Sequence, residues 1–116
     1  MTTPPVQVLD ASGSVVLDGA GRGVVLLAPE SFRTWTVTSI NVRTSQGPTE
    51  TPVPQCVVYL GGVGGQIVAQ TWMGNQSTAS GSELLVQPSQ PVAVEWRGGV
   101  PGSTATAWLY GTMAMR

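Results

Sequence analysis

The sequence predicts an all-β protein, a single antiparallel β-sandwich or jelly-roll-like domain of about eight to nine short strands spanning residues 1–116. Three observations carry that expectation. No window holds the 3.6-residue apolar period of an amphipathic helix, whereas short apolar alternations recur along the whole chain. Fifteen glycines and nine prolines punctuate those alternations and supply the special backbone angles of tight turns. A chain of 116 residues is also long enough to bury roughly two-thirds of its unfolded surface in one ordinary core.

Strands are expected at 6–9, 14–18, 23–28, 33–43, 55–61, 66–73, 83–87, 92–97 and 104–113. The opening "MTTPP" precedes the first, and residues 1–5 read as an extended N-terminal arm able to reach a neighbour. "DASGS" and "DGAGRG" read as tight turns in which Asp caps its own backbone and Gly takes positive φ. Within "RTWTVTSINVR" the apolar parity switches from Trp35 and Val37 to Ile40 and Val42, so a bulge near Thr38–Ser39 is needed to keep all four on one face. Phe32, just before this strand, is expected to seal one end of the core. "GPTETPVP" reads as an extended connection, because each residue before a proline is pushed out of the helical region. "GGVGG" closes a hairpin between 55–61 and 66–73, and the polar run "GNQSTASGS" reads as a loop. The last two strands meet at a hairpin turn built from Gly98, Gly99, Pro101 and Gly102.

Parity within those strands sorts core from surface. In 104–115 the odd positions, among them Ala105, Ala107, Leu109 and Met113, are uniformly apolar and face the core. Thr104, Thr106, Trp108 and Tyr110 then point outward. Trp96 shares the buried face of its strand with Val92 and Val94, leaving Glu95 and Arg97 to pair in solvent on the other. Trp72 shares a face with Val68 and Gln70 and also falls outside the core. Outward aromatics anchor protein interfaces or stack on sugar rings. Trp72, Trp108, Tyr110, Thr104 and Thr106 are therefore the candidate interface residues.

Composition narrows the chemistry. With no histidine and no lysine, the chain cannot assemble a Ser-His-Asp or Cys-His system, a Schiff base or a P-loop lysine. The six acids sit at turns or on an exposed strand face, so no catalytic residue is expected and the chain reads as a non-enzyme. "GAGRG" and "GGVGG" match phosphate loops in glycine content alone, since neither opens a helix. Asp10 and Asp18 lack the spacing of a calcium loop, and no metal or other cofactor is expected. Cys56 stands alone and reads as a small hydrophobe within a strand. A net charge of −1 offers no footprint for nucleic acid or an anionic membrane. "MTTPPVQVLD" lacks the basic and apolar segments of a Sec-type signal.

The order "LDGAGRGVV", "WTVTSINVRTS", "CVVYLGG", "TWMGNQST" and "VEWRGGVPGSTATAWLYGT" resembles a group of small β-rich virion structural proteins of tailed actinobacterial phages, of capsid-decoration or minor-tail type. Its most specific element is W-x-G-G-x-P-G-x-x-A-x, here Trp96, Gly98, Gly99, Pro101, Gly102 and Ala105. The resemblance implies a non-enzymatic role in the virion, assembled in the bacterial host cytoplasm, with major capsid or tail structural proteins as partners and many copies packed together. A capsid decoration protein is the expected form. The alternative is a minor tail or cell-surface carbohydrate-binding module in which exposed aromatics stack on glycan.

Overall fold

Eight strands form where the period-two pattern holds, and they stack as two four-stranded sheets. The structure, a computed structural model, describes residues 6–47 and 49–115; the expected N-terminal arm, residues 1–5, lies outside them. The strands are β1 (Val6–Val16), β2 (Gly23–Leu27), β3 (Arg33–Thr44), β4 (Gln55–Leu60), β5 (Gln66–Thr71), β6 (Gln76–Val86), β7 (Val92–Arg97) and β8 (Thr104–Met115). Sheet 1 runs β1-β8-β3-β6 and sheet 2 runs β2-β7-β4-β5. Every neighbouring pair is antiparallel. Such distribution of eight strands between two sheets, with neighbours mostly distant in sequence, is a jelly-roll arrangement. The core lies between the sheets, where Trp96, Leu109, Val37, Val86, Val92 and Val94 are almost wholly buried. The Trp96 indole N–H donates to the Gly74 carbonyl at 2.9 Å, satisfying the one polar atom of that side chain.

The parity switch in β3 is resolved by the expected bulge. Both ladders of β3 shift register between Val37 and Ser39, leaving Thr38 without a cross-strand partner. Trp35, Val37, Ile40 and Val42 consequently all point into the core. The bulge dictates its neighbour on β8: a Cβ on Gly111 would lie 1.9 Å from the Thr36 carbonyl oxygen, so no residue but glycine fits there.

Four local expectations change. "DASGS" is not a turn, because β1 continues through it and pairs with β8 from Val6 to Val16. Gly13 is small for another reason: a Cβ there would meet Val25 Cγ1 at 2.7 Å, where the edges of the two sheets converge. "GNQSTASGS" is largely strand, since β6 begins at Gln76 and its Thr78 and Ser80 take outward ladder positions beside Asn41 and Ser39. An edge strand with a solvated face is polar for the same reason a loop is, and composition alone cannot separate them. Phe32 is half exposed, with the Arg33 guanidinium 5.4 Å from its ring centroid, and seals nothing. Finally, β7 and β8 are not a hairpin, for β7 pairs with β2 and β4 while β8 pairs with β1 and β3. The turn at 98–103 is an arch that carries the chain from one sheet to the other.

That arch explains the glycines of "DGAGRG". Asp18 caps the first loop as expected, accepting from the Ala20 and Arg22 amides at 2.9 and 3.0 Å, which holds its carboxyl below the usual range. Gly21, at φ +72°, then lies so close to the arch that a Cβ would meet the Gly99 carbonyl oxygen at 2.1 Å. The Gly99 amide donates to Gly21 O at 3.0 Å and the Gly102 amide to Leu17 O at 2.9 Å. The two glycine loops interlock and tie the sheets together at one end.

Candidate functional site

Of the five candidate residues, four are brought together and one is not. Thr104, Thr106, Trp108 and Tyr110 stand in a row along β8, on the outward face of sheet 1, as the odd–even division requires; Ala105, Ala107 and Leu109 between them are fully buried. The flanking strands extend this row into a face. Asp10, Ser12 and Ser14 on β1 lie opposite Tyr110, Trp108 and Thr106. Ser39, Asn41 and Arg43 on β3 lie opposite the same three residues on the other side. Trp72 sits elsewhere, just past the end of β5 in sheet 2, with 72% of its surface exposed. It neither joins the row on β8 nor lies under a loop. A bulge in the β4–β5 ladder, between Val58 and Tyr59, also resets the parity of β5: Val68 and Ala69 both pack toward the core, and Ile67 turns outward.

Side-chain contacts on the face of sheet 1 are few. The Ser14 and Thr106 hydroxyls bond at 3.0 Å. Thr104 and Ser45 exchange two bonds of 2.9 Å, one from the Thr104 amide to Ser45 Oγ and one from the Ser45 amide to the Thr104 carbonyl. The Arg43 guanidinium carbon lies 5.3 Å from the Trp108 ring centroid, within cation–π range. Tyr110 keeps 37% of its surface exposed. Asp10 and Arg43 are the only charges at the ladder positions of this face, and they cancel. Such a surface offers hydroxyls, two aromatic rings and one separated pair of charges. It suits adhesion over a broad area.

The opposite face, outward from sheet 2, holds a group that sequence reasoning misplaced. Glu95 was expected in solvent, yet it is only 1% exposed. Its neighbours fold over it: Arg22 Nη2 reaches Oε2 at 3.0 Å, and Arg97 reaches Oε1 through Nε at 2.8 Å and Nη2 at 2.7 Å. The Tyr59 hydroxyl donates to Oε1 at 3.3 Å and accepts from Arg97 Nη2 at 3.1 Å. Burial alone would raise the Glu95 pKa; the hydrogen bonds from Arg22, Arg97 and Tyr59, with the charge of Arg97, outweigh it and hold the carboxyl below its ordinary value. Val57, Tyr59 and Ala93 form a small buried cluster beside it. The Glu95–Arg97 spacing gave half of this arrangement. Arg22 and Tyr59 come from β2's leading edge and from β4, and only the order β2-β7-β4 places them against Glu95.

Two further features bear on chemistry. Cys56 is buried, and burial, followed by the nearby Glu95 charge, pushes its thiol up to about 12, so it stays protonated. Between edge strands β5 and β6 the sandwich opens into a cleft of about 430 Å³, lined mainly by apolar and hydroxyl side chains such as Ile40, Val68, Leu84 and Ser80, with Glu83 its one ionisable group. Among the described residues no three His, Cys, Asp or Glu side chains gather where they could hold a metal ion, and no helix is long and apolar enough to cross a membrane. No family model matches the chain, and no curated protein matches it either.

Proposed function

We propose that the chain is a non-enzymatic structural protein of a phage virion, a capsid decoration protein docked in many copies through the outward face of sheet 1. The observation that carries the reading is that face itself. Four strands about 4.8 Å apart and some 11 residues long give it a projected area of about 700 Å². A standard protein–protein interface buries roughly 800 Å² per partner. The two charges at its ladder positions cancel, which limits like-charge repulsion between close-packed copies. Trp108 and Tyr110 supply the kind of anchor that dominates interface energetics, within a surround of threonine and serine. The resemblance of the Trp96–Ala105 turn motif to those of actinophage virion proteins supports the same reading. Jelly rolls occur in viral capsids, but also in lectins, so the fold by itself decides nothing.

Two observations weigh against the glycan-binding alternative. Arg43 already lies over the Trp108 ring that a sugar would need. Trp72, at the end of sheet 2, does not extend the row of Trp108 and Tyr110 into one stacking strip.

Quantitative mass spectrometry of purified virions, as copies of this chain per major capsid subunit, tests the proposal. The expected result is a simple fraction of the capsid lattice. A handful of copies per particle would move the protein to the tail and favour glycan recognition. Absence from the virion would end the reading altogether.

A further inference from the structure

The described arginines are paired with carboxylates in every case but one. Arg22 and Arg97 hold Glu95, and Arg33 lies 3.7 Å from Glu30. Arg43 has no carboxylate partner among the described residues; it has only the Trp108 ring. Asp10, the one acid at a ladder position of the same face, likewise has no ion-pair partner among them. The two cannot serve each other. Asp10 lies opposite Tyr110 on one flank of β8, and Arg43 opposite Thr106 on the other. That places their Cα atoms two strand spacings and four residues apart, about 16 Å, beyond the reach of the two side chains.

Their midpoint is Trp108. It occupies the central strand of the three, two residues from Tyr110 and two from Thr106. We infer that the occupant of this face is a second copy of the same chain, packed face to face about a two-fold axis that passes at Trp108. This rests on the reading of sheet 1 as the docking face and names its partner. A two-fold contact is self-complementary, so exchanging Asp10 and Arg43 across it creates the Asp10–Arg43 pair twice and leaves neither charge unmatched. The two Trp108 side chains meet on the axis. The ladder positions of the face, whose two charges cancel, meet their copy without a repulsive excess.

The same geometry sets the size of the contact. An axis that exchanges two diagonally placed residues makes the strands of the two copies cross steeply, nearer the orthogonal than the aligned class of sheet packing. The overlap is then limited by the ~19 Å width of each face, about 400 Å² projected per copy. That is the size of a weak, reversible interface. It leaves the ends of each face uncovered, where Val8, Val16 and Leu85 are all more than half exposed. Those ends remain for other partners, and weak pairing multiplied over a lattice gives firm attachment.

Sedimentation equilibrium of the full chain across a wide concentration range tests the inference, with each variant checked by circular dichroism and thermal melting. The expected result is a monomer–dimer equilibrium with Kd on the order of 10–100 μM at low salt. Asp10→Arg and Arg43→Asp should each weaken the dimer at least tenfold, and the double exchange Asp10→Arg/Arg43→Asp should restore it to within about threefold. Trp108→Ala should weaken it at least tenfold. A monomer at millimolar concentration, a dimer indifferent to the single exchanges, a double exchange no better than either single one, or a trimer would each overturn the inference. A monomer that is nonetheless present at lattice copy number in virions would sink the dimer and keep the decoration reading. A dimer absent from virions would do the reverse.

Discussion

On the outward face of sheet 1, Asp10 and Arg43 stand exposed and apart. On the outward face of sheet 2, Glu95 lies beneath two guanidinium groups and a phenol, with almost no contact with water. Both faces ride on the same pleat, and both are reached by the same odd–even rule. The difference is in what stands beside each charge on the neighbouring strands. Beside Asp10, on an edge strand, the ladder supplies only Tyr110, and beside Arg43 it supplies Thr106 and Gln76; among the described residues no opposite charge reaches either group. Beside Glu95 it supplies Val24 and Val57 directly, with Arg97, Tyr59 and Arg22 one step away and long enough to close over it. A charge on a sheet face is thus solvated or sealed by its cross-strand neighbours, and the two cases have opposite uses. The sealed group contributes to the stability of the fold, and the solvated ones stay available to a partner.

The contrast can be broken most severely at Glu95. Glu95→Ala should destabilise the protein by about 2–3 kcal/mol in urea unfolding, since it strands the Tyr59 hydroxyl and uncovers the Val57–Ala93 cluster. A loss below about 0.5 kcal/mol would mean that the carboxylate is solvated in practice and that the two faces do not differ.

A smaller effect follows from pH. Because the Glu95 carboxyl titrates below its ordinary value of 4.5 in the folded state, the folded protein binds this proton less readily than the unfolded chain. Its contribution is therefore complete above about pH 4.5 and is lost as pH falls through the lower folded value. Melting temperature measured from pH 7 down to pH 3 should fall more steeply for the native chain than for Glu95→Gln. Parallel curves would assign the acid sensitivity to other carboxylates.

The smallest effect belongs to sheet 1. Trp108→Ala and Tyr110→Ala should each change unfolding free energy by less than about 1 kcal/mol, a cation–π contact and a modest area being all that the monomer loses. Each should nevertheless weaken docking. A large stability loss in either would place these rings in the core economy and remove them from the candidate interface.

Much of this was legible in the chain. The bulge at Thr38 could be read from the parity switch alone, because two apolar pairs out of phase can share a face only if one residue is skipped. Trp96 inside and Trp108 outside followed from alternation within single strands. The partnerships were not legible. Gly13 and Gly21 were read as turn residues in local sequence, yet both are small because a distant segment passes within contact distance, Val25 in one case and Gly99 in the other. The edge strand β6 was hidden for a related reason: its outward residues are as polar as a loop, and only pairing with β3 shows that they lie in register.

By itself, then, the amino-acid order determined the fold class, the inward and outward side of most strands, and a sparsely charged composition. These depend on periodicity, steric freedom and residue chemistry, all of them local. Only the tertiary structure decided which strands are neighbours. Strand order turned an apparent hairpin into an arch between sheets, set Trp72 beside the other sheet from the row on β8, buried Glu95 under residues from three segments, and set Asp10 and Arg43 on either side of Trp108. Cross-strand contacts join residues tens of positions apart, and a strand's own sequence carries little record of which strand will lie beside it.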